Sequence, residues 1–203
     1  MVAGDSFRST GGARGILRAP NGTITTFDPL GSTSTDPTAI NPAGTVTGVF
    51  IDVRGVFHGF LRTSDGTITA FDASADSQIT FAHAINPAGT IVGEFFTTAG
   101  FEHGFLRAPN GTITVFDAPG SLFTFPTGIN LAGTITGNFF PLDFSGAHGF
   151  LRATNGAITV FDAPGSLFIF PAAINSAGTV TGSFFPPDFF PDHGFVGRPK
   201  NMH

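Results

Sequence analysis

Short apolar segments alternate with turn chemistry along the whole chain, and four such segments make one phrase. In mid-sequence the phrase runs through residues 103–107 (HGFLR), 112–117 (TITVFD), 125–130 (FPTGIN) and 133–140 (GTITGNFF). Segments this short, rich in Phe, Ile, Val and Thr and bounded by Gly, Pro and Asn, predict strands rather than helices. Apolar residues occupy both faces of several segments. The sheets are therefore expected to be covered on both sides by neighbours.

The joining residues specify turn geometry. Asn41-Pro42-Ala43-Gly44 and Asn86-Pro87-Ala88-Gly89 place Pro at the second position and Gly where a left-handed residue is needed, a type I turn with a bulge, and the recurring Asn bonds its own turn backbone. Ala108-Pro109-Asn110-Gly111 forms a second hairpin of the same kind, and Pro119-Gly120 signals a type II turn between phrases. If Pro109, Asn110 and Gly111 are the loop, Ala108 faces Thr112, and counting back sets His103 opposite Asp117. The same arithmetic pairs His58 with Asp72 and His148 with Asp162. In the first copy it pairs Arg14 with Asp28. A cation-capable donor kept opposite a carboxylate in every copy points to a structural clasp rather than general-base or metal chemistry.

The phrase returns with a fixed stride: Gly15, Gly59, Gly104, Gly149 and Gly194 lie 44, 45, 45 and 45 residues apart. A repeat of about 40–50 residues with four strands fits one propeller blade. The expected fold is all-β, a single β-propeller domain over residues 1–203. Its repeat units span residues 14–57, 58–102, 103–147 and 148–192, with partial units at 1–13 and 193–203. The chain is expected to open and close mid-repeat, giving three full blades flanked by two three-stranded ones, five blades in all; the alternatives are a four-bladed ring with a spare hairpin and an assembly in which a second copy covers the open edge. The tight turns are expected on one rim, and the long connections of residues 97–102, 141–147 and 186–192 on the other, with the interblade stretches around Phe123 and Phe168.

Composition narrows the function. A net charge of −5 without a basic cluster argues against nucleic acid as a partner. No apolar run reaches the length of a membrane span, and the segment MVAGDSF has neither the basic nor the apolar region of an export signal, so none is expected in these residues. The absence of Cys removes disulfides, thiolate nucleophiles and Cys-ligated metals. Phe occurs 26 times, whereas Trp and Tyr do not occur. Glycosidases on such a fold need carboxylates aimed at the axis, and the inner segments TAIN, AHAIN, PTGIN and PAAIN hold none. Glu94 and Glu102 are the only glutamates; Glu94 and Asp36 would be the first positions to mutate if hydrolysis were found. No catalytic residues, metal site or cofactor are assigned, and the chain is expected not to be an enzyme.

The series HGFLR, GTIT.FD and IN..GT..G, covering nearly the whole chain, resembles the bacterial HAF family of extracellular repeats. Gly stands here for the Ala and Arg for the Trp of that family's HAFLW-like segment, and FDAPG stands in place of its DLG-rich stretch. The resemblance implies secretion or surface display and brings no catalytic residues. Long loops on a rigid scaffold are where binding residues concentrate, and two of them are rich in Phe and Pro. Phe140, Phe144, Phe185, Phe189 and Phe190, with Asp143 and Asp188, are the candidate ligand-binding residues. The leading expectation is a binding or scaffold module for a polysaccharide or protein surface. The alternatives are a structural protein that self-associates as a homo-oligomer through terminal blade edges and, further behind, a propeller glycosidase.

Overall fold

In the computed structural model, which describes residues 1–7, 9 and 11–198, all regular structure is β-strand. Unit one holds β1 (Val2–Phe7), β2 (Ala13–Arg18) and β3 (Ile24–Phe27). Unit two holds β4 (Ser32–Ile40), β5 (Val46–Asp52), β6 (Phe57–Arg62) and β7 (Ile68–Phe71). Unit three holds β8 (Ser77–Ile85), β9 (Ile91–Thr97), β10 (Glu102–Arg107) and β11 (Ile113–Phe116). Unit four holds β12 (Ser121–Ile129), β13 (Ile135–Pro141), β14 (His148–Arg152) and β15 (Ile158–Phe161), and unit five β16 (Phe168–Ile174), β17 (Val180–Phe185) and β18 (His193–Gly197). Within every unit each strand pairs antiparallel with its sequence neighbour. Among the described residues no strand of unit one pairs with a strand of unit five, so backbone pairing does not close the array.

The turns form as their residues require. Gly44 has φ +79°, its N–H donates to the Asn41 carbonyl at 3.0 Å, and the Asn41 side-chain oxygen accepts from the Thr45 N–H at 3.0 Å. The second hairpin has the expected register: the Ala108 N–H donates to the Thr112 carbonyl at 2.8 Å, and Gly104 pairs with Phe116. Both kinds of tight turn gather at one end of the array, where a Cβ on Gly89 would lie 3.8 Å from Pro109.

The first strand of each full unit is longer than the sequence pattern implied. In unit four it begins at Ser121 rather than at Phe125, with a bulge between Pro126 and Gly128. Phe123 and Phe168 therefore belong to strands, not to interblade connections. In unit two the same extension brings Asp36 into β4, opposite Val49, so the inner strands are not free of carboxylates. The backbone of the Ser/Thr-rich run before Pro37 completes the ladder with β5. Burial, with a further push from nearby Asp5, raises the Asp36 carboxyl above its usual range.

The core lies between units. Val46, Phe50 and Phe60 of unit two pack on Leu17 and Phe27 of unit one; Ile91, Phe95 and Phe105 of unit three pack on Leu61 and Phe71 of unit two. Ile135, Phe139 and Phe150 of unit four then meet Val92 and Phe116 of unit three. Phe60, Phe105 and Phe150 are fully buried, and burying each contributes roughly 2–3 kcal/mol. The last residue of HGFLR adds a clamp: the Arg62, Arg107 and Arg152 guanidiniums sit over Phe27, Phe71 and Phe116 of the preceding unit at 5.1, 5.0 and 4.7 Å. The Gly of the same motif is a close-approach residue. A Cβ at Gly59 would come within 2.6 Å of the Phe71 ring.

Polar bonds also cross between units. The Asn41 side-chain N–H donates to the Asn86 carbonyl at 3.3 Å, Asn86 donates to Asn130 at 3.4 Å, and Asn130 donates to Asn175 at 3.2 Å. The Asn read as a turn-former thus has a second task. It ties each first strand to the next.

Candidate functional site: a phenylalanine-lined cup

At the end of the array opposite the tight turns, the second and third strands of units two to five are joined by connections that share one left-handed turn position. The turn is the same in four units: the N–H of Gly55, Gly100, Phe144 and Phe189 donates to the carbonyl of Asp52, Thr97, Pro141 and Pro186 at 3.1, 3.0, 3.1 and 2.9 Å. The φ angles are +83° and +82° at the glycines and +53° and +62° at Phe144 and Phe189. Gly adopts this conformation freely, whereas an L side chain there costs roughly 1–2 kcal/mol. Units four and five hold a bulky aromatic residue where units two and three hold Gly.

The neighbouring positions change in step. The cross-strand pairs beside this turn are Ser34–Ile51 in unit two, Ile79–Phe96 in unit three, Phe123–Phe140 in unit four and Phe168–Phe185 in unit five. Two residues further along the first strand stand Asp36, Phe81, Phe125 and Phe170. Phenylalanine is therefore absent from this set in unit two and fills all four of its positions in units four and five. Phe123, Phe125 and Phe140 remain part-exposed in unit four even though unit five packs behind it.

Ring contacts join these residues into a belt. Phe144 meets Phe123 with centroids 6.3 Å apart, Phe123 meets Phe125 at 6.4 Å, Phe125 meets Phe140 at 5.9 Å, Phe140 meets Phe168 at 6.3 Å, and Phe168 meets Phe189 at 5.6 Å. Between units four and five the belt opens into a cup of about 300 Å³ lined by Phe140, Phe168, Phe170, Phe185 and Phe189. Of the five Phe singled out in the sequence, Phe140, Phe185 and Phe189 line this cup. Phe144 reaches it through Phe123 and Phe125. Phe190 is 82% exposed and outside the lining. Phe168 and Phe170 were missed because alternation within a strand hides which residues meet across the unit boundary. Asp143 and Asp188 are exposed, each one residue before the left-handed Phe. The Ser145 hydroxyl and backbone N–H hold the Asp143 carboxyl below its usual range.

No family model matches the chain and no curated protein matches it. Among solved structures it is similar to TolB from Acinetobacter baumannii, with a TM-score of 0.57 and 16% identity over 97% of this chain and 51% of that one. It is equally similar to virginiamycin B lyase from Staphylococcus aureus, with a TM-score of 0.57 and 15% identity over 94% of this chain and 68% of that one. The fold is propeller-like. The chain spans about half the length of the TolB structure, and likeness at this identity carries the fold alone.

In this propeller-like array the His and Asp of each phrase meet. His58 Nδ1 lies 2.7 Å from Asp72, His103 Nδ1 2.9 Å from Asp117 and His148 Nδ1 2.9 Å from Asp162, while Arg14 Nε donates to Asp28 at 2.9 Å. Each imidazole also packs against a Phe of the neighbouring strand, Phe50, Phe95 or Phe139, at 5.1–5.5 Å. Each ring thus has one nitrogen held by the hairpin's Asp and a ring contact with the preceding strand.

A second polar group sits at the boundary of units three and four. Glu94 pairs with Gly104 and Glu102 with Phe96, which sets the two carboxyls diagonally on one sheet face. They are 6% and 4% exposed, and His83 Nε2 lies 2.6 Å from Glu94. Burial, reinforced by the Glu94 charge, pushes the Glu102 carboxyl up to about 8. The two-residue offset across a hairpin was available in the sequence; His83, in the bulged part of β8, was not. The corresponding residues are Val49 and Phe57 in unit two and Asn138 and Ala147 in unit four. Among the described residues no group of three His, Asp or Glu is placed to hold a metal ion, and no helix is long and apolar enough to cross a membrane.

Proposed function

We propose that the five units are blades of one β-propeller and that the protein is a non-enzymatic binding module, displayed outside the cell, whose ligand site is the Phe belt and cup between the fourth and fifth blades. The observation that carries this reading is the presence of Phe144 and Phe189 at left-handed turn positions where sister units have Gly. Backbone strain of this kind concentrates at ligand clamps, because packing alone does not repay it at an exposed ring. Phe144 and Phe189 are 61% and 50% exposed. The Phe belt supplies a large apolar surface at low side-chain entropy. The buried carboxyl pair, Glu94 and Glu102, of which Glu94 meets His83, does not line the cup, which supports binding over catalysis at this site.

The partner in this reading is an extended surface such as a polysaccharide or a protein layer, engaged along the belt from Phe144 to Phe189. Co-sedimentation with a panel of insoluble polysaccharides and cell-envelope preparations tests it. Depletion of the wild type, with the Phe140→Ala/Phe189→Ala double variant left in solution, is the expected result. No depletion by any material, or equal depletion of the variant, would sink the reading.

A further inference from the structure

The chemistry of the cup selects within that reading. Five Phe side chains form its lining, so it presents π faces and ring edges and no hydrogen-bond donor or acceptor. A neutral polar ligand such as a sugar would lose its water there without replacement bonds. A soft cation loses less, because ring faces attract positive charge and a fully alkylated ammonium has no N–H to satisfy.

The charged side chains on the cup's side of units four and five are acidic. The carboxylates described in these units are Asp143, Asp162, Asp188 and Asp192, and the guanidiniums are Arg152 and Arg198, which stand at or next to strand positions paired with Ile135 and Val180, at the tight-turn end. Arg152 is committed to the Phe116 ring of the preceding unit. Asp143 and Asp188 sit in the two turns that project Phe144 and Phe189, at the margin of the belt. Exposed carboxylates beside an aromatic cup draw cations toward it and disfavour anions such as phosphate.

We infer that the cup binds an alkylated ammonium group, of the trimethylammonium type, carried by the ligand. Phe140, Phe168, Phe170, Phe185 and Phe189 surround the cationic head, and Asp188 with Asp143 supplies the compensating charge from the rim. The left-handed backbone at Phe189 is what closes the cage, since the same turn built on Gly would leave Phe168 uncovered. This inference rests on the binding-module reading and specifies the ligand group for the same site.

The test is a calorimetric or NMR titration of the full chain with choline and with its uncharged isostere 3,3-dimethylbutan-1-ol. Choline is expected to bind at least about 10-fold more tightly, in keeping with a desolvated cation–π contact. The preference should narrow in Asp188→Asn and on raising salt. Phe185→Leu keeps apolar volume but removes a π face; it should weaken choline several-fold and leave the neutral probe nearly unchanged. Equal affinity for the two probes overturns the cation inference while leaving an apolar binding site in place. Binding of neither probe also overturns it, and the co-sedimentation experiment then decides the broader reading separately.

Discussion

The two ends of the array are built from the same repeat and have diverged differently. At the tight-turn end, Asn41, Asn86, Asn130 and Asn175 hold the same turn in units two to five, and side-chain hydrogen bonds run from each of the first three to the next unit. At the opposite end the equivalent positions read Gly55, Gly100, Phe144 and Phe189, within the same turn hydrogen bond. Units join at both ends, but with identical chemistry at the tight-turn end and with a substitution against backbone preference at the loop end, which separates what holds the array together from what the array presents.

The comparison is sharpest at the boundary of units three and four, where the shared apolar packing is interrupted by Glu94 and Glu102. Glu102 titrates near 8 in the folded protein, above its ordinary value of 4.5. A raised carboxyl contributes stability that is complete below about pH 4.5 and is lost as pH rises through about 8, because the folded state then gives up a proton it holds more tightly than the unfolded chain does. Loss on the order of 5 kcal/mol is expected by pH 9. Glu102→Gln should match the wild type near pH 4 and exceed it in urea-unfolding free energy at pH 9. Parallel pH profiles for the two proteins would show that the pair is not coupled to folding.

At the tight-turn end, Asn86→Ala removes a 97%-buried amide that bridges two units and leaves the Thr90 N–H without its acceptor. A loss of roughly 1–3 kcal/mol is expected. The exposed Asn110, which bonds only within its own hairpin through Thr112, should cost about 0.5–1 kcal/mol as Ala. Equal effects at Asn86 and Asn110 would mean that the inter-unit ladder adds nothing to the turn.

At the loop end, Gly100→Ala measures the backbone term alone, because a Cβ there meets nothing within 4 Å. Destabilisation of roughly 1–2 kcal/mol is expected by thermal or chemical unfolding. An unchanged midpoint would remove the argument that Phe144 and Phe189 are held against a conformational preference.

Much of the frame was legible in the sequence. The stride of HGFLR and IN..GT, the Pro-Asn-Gly loop and the period of two gave the meander and the register that brings His103 to Asp117. The extension of β4 past Pro37 was not legible, because Ser and Thr alternate there without apolar residues to mark a buried face. Nor were the guanidinium clamps of Arg62, Arg107 and Arg152, whose partners are residues of the preceding unit. At the candidate site the long loops pointed to Phe140, Phe185 and Phe189, while Phe168 and Phe170 became visible only once the fifth unit was set beside the fourth. The equivalence of Gly55 with Phe144 was hidden by the different loop lengths, and the shared turn hydrogen bond reveals it.

The central claim is that Phe189 sits at a left-handed position for the sake of a ligand. Phe189→Gly tests it directly, read by unfolding free energy and choline titration on the same sample. Relief of roughly 1–2 kcal/mol of backbone strain offsets the lost packing of a half-exposed ring and the added freedom of Gly in the unfolded chain, about 0.5–1 kcal/mol. The account predicts a stability change under about 1 kcal/mol, together with at least a 10-fold loss of choline affinity. A variant destabilised by more than about 2 kcal/mol that binds choline as the wild type does would contradict it, and would place Phe189 in the core rather than in a site.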